Sequence, residues 1–260
     1  NQGYEELRIL AGNVRYVNLT GFMWNGAATS RAVADVARFM GDGDAVIIDL
    51  RQNGGGSGAA VQALVSYFLP PDHRVLMTFH QGANGAAQST HVIDALQGPR
   101  LVGKPLYVLT SGNTGSAAEE FAYHVRQFKL GTLVGGKTAG AANNDTLYPV
   151  GRGFVLSVST GRPVHPVSHT NWQGVGVAVD VDVPDATALD EAHSLAIDRL
   201  AARPGADAAQ YAWIKAGLAG SLHPPRIDAQ ALGEFTGRFG VRTITIANGT
   251  LIYQRDNRPS

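Results

Sequence analysis

Residues 110–125, TSGNTGSAAEEFAYHV, put a serine where a polar, glycine-containing loop turns into a helix pattern with Phe121, Val125 and Phe128 on one face. Ser116 in that place has two physical readings. Its oxygen can cap the helix by accepting an orphan backbone N–H. Alternatively, a hydroxyl that follows a buried strand, beside free N–H groups and the positive end of the helix dipole, can act as a nucleophile whose oxyanion is stabilised in place. Ser111 and Thr114 are competing hydroxyls in the same loop. A second segment, IIDLRQNGGGSG (47–58), carries Gly54, Gly55 and Gly56 after a strand-like run. Successive glycines let the backbone approach a ligand closely with N–H groups facing inward. The simpler reading is a flexible strand-to-helix turn. The loop lacks the Lys-Ser/Thr of a P-loop and the spacing of a dinucleotide fingerprint.

The elements that must position these loops follow from periodicity. ELRILAGNVRYVNLTGF reads as two strands about a turn at Ala11-Gly12-Asn13, and TSRAVADVARFM as a helix with Thr29 or Ser30 as N-cap. DAVIIDL is a continuous apolar run of buried-strand length, and AAVQALVSYFL after the glycines is a helix ended by Pro70-Pro71. RVLMTFH, PLYVLTS and GTLVGG read as strands and SAAEEFAYHVRQF as a helix; residues 73–100 hold a hairpin or mobile loop. TLYPVG and GFVLSVSTGRPV read as antiparallel strands, and ATALDEAHSLAIDRLAAR as a helix stopped by Pro204-Gly205. Alternating strands and helices indicate an α/β sheet with functional loops at the strand ends. A further helix over 207–219, a linker at His223-Pro224-Pro225 and a small β module with an Asn248-Gly249 hairpin complete the chain. The expected domains are a core over 1–204, a helical linker over 205–225 and the β module over 226–260.

Composition removes several classes of function. The 260 residues are 44% hydrophobic and 16% charged, as in an ordinary globular protein. Lysine plus arginine and aspartate plus glutamate both number 21, which gives no electrostatic pull towards nucleic acid. There are no cysteines, so a thiol nucleophile, a disulfide framework and thiolate metal sites are excluded. No apolar run approaches the ~20 residues of a membrane span. The first residue is Asn1, which reads as a processed product or an excised piece. Neither a His-x-x-x-His pair on a helix nor a Glu-bearing zinc motif occurs, so no metal or cofactor is expected.

Taken together, DLRQNGGG (49–56), LTSGNTGSAAEEFA (109–122), GGKTAGAAN (135–143) and GRPVHPVSHTNWQGVGVAVDV (161–181) resemble, in order and spacing, the tail-specific or C-terminal processing serine proteases. The similarity is closer to the branch that includes interphotoreceptor retinoid-binding protein and the tricorn core protease, and covers roughly residues 3–186. It implies an α/β, crotonase-like (ClpP-like) spiral ββα core with the small C-terminal β module attached. It also implies Ser116 as nucleophile, with an oxyanion hole made by the Ala117 N–H and the N–H of Gly55 or Gly56. Peptides or unfolded protein segments would be the substrates, in an extracytoplasmic (periplasmic or secreted) location. Substrate would lie as an added strand along a sheet edge. No peptide-binding PDZ insertion precedes DLRQNGGG.

The sequence departs from that pattern at the base. Where the processing branch carries a lysine, this chain has Ala141; Lys137 occupies a variable slot and reads as a solvated lysine. In the tricorn-like branch the base is a histidine from an N-terminal region, assisted by a glutamate; here TNWQGVGV puts Gln173 at the carboxylate position. An amide orients a partner by hydrogen bonding but does not stabilise an imidazolium by charge. Gly136 and Val179 likewise replace the family's usual Glu and Pro. Local histidines do not substitute readily. His124 sits two turns beyond Ser116, roughly 12 Å along the helix axis, and His80, His91, His165 and His169 read as surface or hydrogen-bonding residues. Trp172 reads as a core anchor. Two functions are therefore expected: a serine-type peptidase, catalytically incomplete as represented, or a non-catalytic binding protein for apolar ligands or peptides on the same fold. A crotonase-type acyl-CoA enzyme shares the fold class but not the NTGSAAEEFA segment.

Overall fold

A computed structural model describes residues 2–82, 87–223 and 228–256. In chain order the first elements are β1 (Tyr4–Leu10), β2 (Val14–Leu19), α1 (Ala27–Gly41), β3 (Ala45–Asp49), α2 (Gly58–Ser66), β4 (Val75–Gln81) and β5 (Ala87–His91). Then come β6 (Leu106–Thr110), α3 (Ala117–Gln127), β7 (Thr132–Gly135), β8 (Asn144–Gly151), β9 (Phe154–Val164) and β10 (Val181–Asp182). The chain closes with α4 (Ala188–Ala201), α5 (Ala208–Leu222), α6 (Ala229–Gly233), β11 (Gly237–Phe239), β12 (Arg242–Ala247) and β13 (Thr250–Arg255).

The central sheet has the order β1-β2-β3-β6-β7-β10. Only β1 runs antiparallel to its neighbour; the other strands are parallel. Every residue of β3 and β6 is buried, which is why both read as unbroken apolar runs. Alternate residues serve two cores. Val46, Ile48, Val108 and Leu133 join the side chains of α1, α2 and α3. Ala45, Ile47, Leu109 and Val134 join Ile197 and Leu200 of α4, with Ile214 of α5. Helices thus cover both faces.

Two local expectations change. α1 begins under Gly26, not under Thr29 or Ser30. Thr29 lies within the first turn, where its hydroxyl accepts the Asn25 N–H at 2.7 Å and donates to Gln2 Oε1 at 2.9 Å. The chain also divides into compact units Asn1–Leu218 and Ala219–Ser260. Most of the helix expected as linker therefore belongs to the first unit, because Ile214 is buried in its core. Pro224 and Pro225 of the expected linker lie outside the described residues.

A second, antiparallel sheet has the order β5-β4-β9-β8. It contains the hairpin expected within 73–100, whose residues 83–86 lie outside the described set. In the second unit, β11, β12 and β13 form an antiparallel sheet. Asn248 and Gly249 join β12 to β13 with φ of 51° and 75°, the pair of positive values a two-residue type I′ turn demands.

Candidate active site

β3 and β6 are parallel neighbours, paired through Asp49↔Leu109, so the loops that leave their C-terminal ends emerge side by side. Side chains lace the two loops together. Thr114 Oγ1 donates to the Leu50 carbonyl at 2.8 Å, Ser111 Oγ donates to that of Arg51 at 2.7 Å, and the Gly115 N–H reaches the Asn53 carbonyl at 3.0 Å. Ser111 and Thr114, the competing hydroxyls of the sequence, are buried and committed to these bonds. Asn53 is fully buried; its Nδ2 donates to the Leu19 carbonyl at 2.9 Å and its Oδ1 accepts the Gly55 N–H at 2.9 Å. Beneath them, buried Asp49 accepts from the Tyr16 hydroxyl at 2.9 Å and pairs with Arg51 at 2.6 Å. Burial, then the Asp49 charge, pushes the Tyr16 hydroxyl far above its ordinary value, so it remains a donor.

Ser116 is exposed at the N-terminus of α3 with φ 51° and ψ −121°. A non-glycine residue held there costs about 1–3 kcal/mol, and such geometry persists only where the surroundings enforce it. Gly55 is part of that enforcement. With φ 117°, a Cβ on Gly55 would lie 2.6 Å from Ser116 Cβ and 3.0 Å from Ala117 N. On Gly56, with φ 135°, a Cβ would lie 2.2 Å from the Phe22 carbonyl oxygen. The glycine loop and the start of α3 are therefore in contact. The Gly55 N–H is taken by Asn53, whereas the N–H groups of Gly56 and Ala117 have no partner among the described residues.

The carboxylate of Glu119, fully buried, holds the next loop against this one. Its Oε2 accepts the N–H groups of Ser116 at 2.9 Å and Ala141 at 2.8 Å; its Oε1 accepts the Thr138 hydroxyl at 2.5 Å and the Gly140 N–H at 2.6 Å. Sequence reasoning did not assign this residue, although Ser-x-x-Glu at a helix start is a capping-box signal. Gln173 is exposed, and its Oε1 accepts the N–H groups of Ala142 at 2.9 Å and Asn143 at 2.8 Å. It thus bears on the loop behind the serine and does not line the cavity itself.

A cavity of about 190 Å³ opens at Ser116 and Ala117, with Phe79, Pro163 and Trp172 among its apolar lining. That is below the ~300–1,000 Å³ typical of small-molecule sites. Its ionisable lining groups are Glu120 and Asp145, and no lysine or histidine lines it among the described residues. Lys137 is exposed and His124 is buried among Phe128 and His165. Trp172 is buried in the core, as expected, and also faces this cavity. No group of three or more His, Asp or Glu among the described residues is placed to hold a metal ion.

Residues 13–183 match the family model of peptidase family S41. A carboxy-terminal-processing protease of Bartonella bacilliformis is 28% identical over 137 residues, 53% of this chain and 30% of that protein. The chloroplastic carboxyl-terminal-processing peptidase 1 of Arabidopsis thaliana is 30% identical over 169 residues, 65% of this chain and 33% of that protein. The chain thus spans about a third of the length of these relatives. A solved structure from Bacteroides fragilis described as an S41 protease has the same fold, with a TM-score of 0.63 at 19% identity over 85% of this chain and 58% of that one.

Proposed function

The chain belongs to peptidase family S41, and from that premise we propose that it is the core of a serine peptidase in which Ser116 attacks a peptide carbonyl. One observation carries the reading. The exposed Ser116 at a strained N-terminus sits against a glycine loop, and the N–H groups of Gly56 and Ala117, residues that line the same cavity, bond to no described residue. These two donors form the oxyanion hole. Gly55 shapes it by lacking a Cβ and gives its own N–H to Asn53. Ser116 Oγ bonds to the carbonyl carbon, the amine leaves with a proton, and water releases the acyl group. Losing one oxyanion donor typically costs ~10²–10³ in rate. The first unit is read as a crotonase-like spiral of ββα units, acting on peptides or unfolded protein segments in an extracytoplasmic compartment. Among the described residues, no helix is long and apolar enough to cross a membrane.

The second reading, a non-catalytic binding protein, is favoured by one specific feature: among the described residues the cavity lining offers carboxylates but no lysine or histidine to take the serine proton. A fluorophosphonate probe on the full natural protein separates the two. Labelling that disappears in Ser116→Ala supports the peptidase. An intact, folded protein that does not label is the binding protein.

A further inference from the structure

A second cavity lies at the far end of the central sheet from Ser116, where β6 and β7 begin side by side. Its volume is about 620 Å³, inside the ~300–1,000 Å³ range of small-molecule sites that the Ser116 cavity falls below. Lys104 leads into β6, Arg126 and Lys129 lie at the turn from α3 into β7, and Arg199 stands in the last turn of α4.

Acidic and basic residues balance over the whole chain, but this lining has four cations, Lys104, Arg126, Lys129 and Arg199, and one carboxylate, Asp180. That carboxylate is already bonded. Asp180 Oδ2 accepts the Leu133 N–H at 2.9 Å, and its Oδ1 accepts from Arg126 Nη1 at 3.2 Å. Lys104 Nζ donates only to neutral carbonyls, those of Gly41 at 2.8 Å and Gly43. Burial lowers its pKa, an effect that an adjacent anion would offset. The side chains of Lys129 and Arg199 neither hydrogen-bond nor ion-pair with any described residue.

Lysine is not the residue that the turn at 129 favours. α3 ends there with the Leu130 N–H on the Val125 carbonyl and the Lys129 N–H on that of Arg126, a Schellman turn, and φ at Lys129 is 56°. Glycine adopts that conformation at least cost. The helix dipole by itself favours a cation near a C-terminus, at Lys129 and at Arg199 alike. The dipoles do not account for both of them opening, with Lys104 and Arg126, on one concave site.

We propose that this cavity binds a small molecule carrying a diphosphate group, with Lys129 and Arg199 as its charged contacts. Four cations against one carboxylate leave a surplus of three positive charges. A single phosphate ester carries about −1.5 to −2, so two linked phosphates match that surplus better than one phosphate or one carboxylate. The guanidinium fork of Arg199 suits a pair of phosphate oxygens, and Lys129 acts as a point charge. Val167, apolar and half exposed, forms a wall for an organic body. A nucleic-acid strand or a membrane surface fits less well, because a chain without net charge offers no long-range pull towards a polyanion. The inference is independent of the role of Ser116.

The test is equilibrium dialysis of the full natural protein against radiolabelled inorganic pyrophosphate at low ionic strength. Pyrophosphate should be retained, and unlabelled pyrophosphate should displace it at about a tenth of the concentration that phosphate or sulfate needs. Lys129→Gly and Arg199→Gln should each weaken retention by about tenfold, the loss of one charged hydrogen bond. Lys129→Gly should also melt no lower than the parent, since glycine suits that φ, so its lost binding is not lost folding. No retention of pyrophosphate overturns the proposal, as does retention unchanged in both variants. Displacement by sulfate as readily as by pyrophosphate reduces the site to general charge attraction and overturns it too. Co-sedimentation with phosphatidylglycerol vesicles that requires Lys129 and Arg199, with no retention of free pyrophosphate, assigns these cations to a lipid headgroup and overturns the small-molecule site.

Discussion

The two ends of α3 bury polar groups in opposite ways. At its N-terminus Glu119 is fully buried and its oxygens accept four hydrogen bonds, while Ser111, Thr114 and Asn53 are likewise committed. Two turns along, buried His124 makes no side-chain hydrogen bond among the described residues, its Nε2 meeting only the Glu120 carboxylate at 3.5 Å, and His165 Nε2 and Trp172 Nε1 are likewise buried without a hydrogen bond. Their rings pack edge and face instead: His124 stacks on Phe128 at 5.7 Å, and Tyr123 meets His165 at 5.4 Å and Trp172 at 5.1 Å. A fully satisfied buried network specifies one geometry, whereas one with several unbonded polar atoms leans more on packing. The first kind surrounds the serine; the second lies behind it and is where the molecule should yield.

The sharpest break in the first region is Gly55→Ala. The added methyl would stand 2.6 Å from Ser116 Cβ and 2.9 Å from the Gly115 carbonyl, at a φ that L-residues avoid. Loss of the Ser116 geometry should reduce fluorophosphonate labelling by two orders of magnitude or more, with a lower melting temperature. Parent-like labelling would mean that the glycine loop does not shape the site. Glu119→Gln is the next largest. An amide NH₂ cannot accept, so it must face N–H donors that now receive a carboxylate oxygen, at a cost of about 3 kcal/mol or more. Urea unfolding measures it, and a change below 1 kcal/mol would contradict the bonding described for Glu119.

Some of this was legible in the sequence because it depends on periodicity alone. DAVIIDL and PLYVLTS are continuous apolar runs because β3 and β6 are buried on both faces, and the loops that follow them carry Ser116 and Gly54–Gly56. What could not be read were contacts made across the chain. Asn53 gains its meaning from Leu19, and Glu119 from Thr138, Gly140 and Ala141. Ile214 docks on a core from a helix that periodicity presents as a linker. The solvent exposure of VLSVS in β9 was illegible for the same reason, since alternation cannot say whether a partner sheet is present.

The second region makes a prediction with a sign. Burial, then the nearby His124 ring, lowers the His165 pKa from 6.5 to about 3. The unfolded chain protonates this imidazole near 6.5 while the folded protein keeps it neutral down to about 3. The unfolded state therefore binds more protons throughout that window, and stability falls as pH drops through it, by up to about 1.4 kcal/mol per pH unit. Burial also lowers the pKa of His193 on α4, so His165→Leu should flatten the profile in part. Urea midpoints between pH 7 and 4 test this. A His165→Leu profile as steep as the parent's would clear the ring cluster of the acid lability.

Gln173 tests the border between the two regions, since it adjoins Trp172 in the chain yet bonds to the loop beside Ser116. Gln173→Ala orphans the N–H groups of Ala142 and Asn143. Asn143 Oδ1 is itself buried without a described partner, whereas Gln173 is exposed, so water replaces part of what is lost and the cost should be about 1 kcal/mol. Gln173→Glu keeps an acceptor oxygen and adds charge, so its stability should stay within about 0.5 kcal/mol of the parent. The pair separates two roles. If the residue only braces the loop, the Ala variant labels less than the parent and the Glu variant labels equally. If a cationic base meets it in the full protein, the Glu variant labels faster, because a carboxylate supports an imidazolium that an amide merely orients.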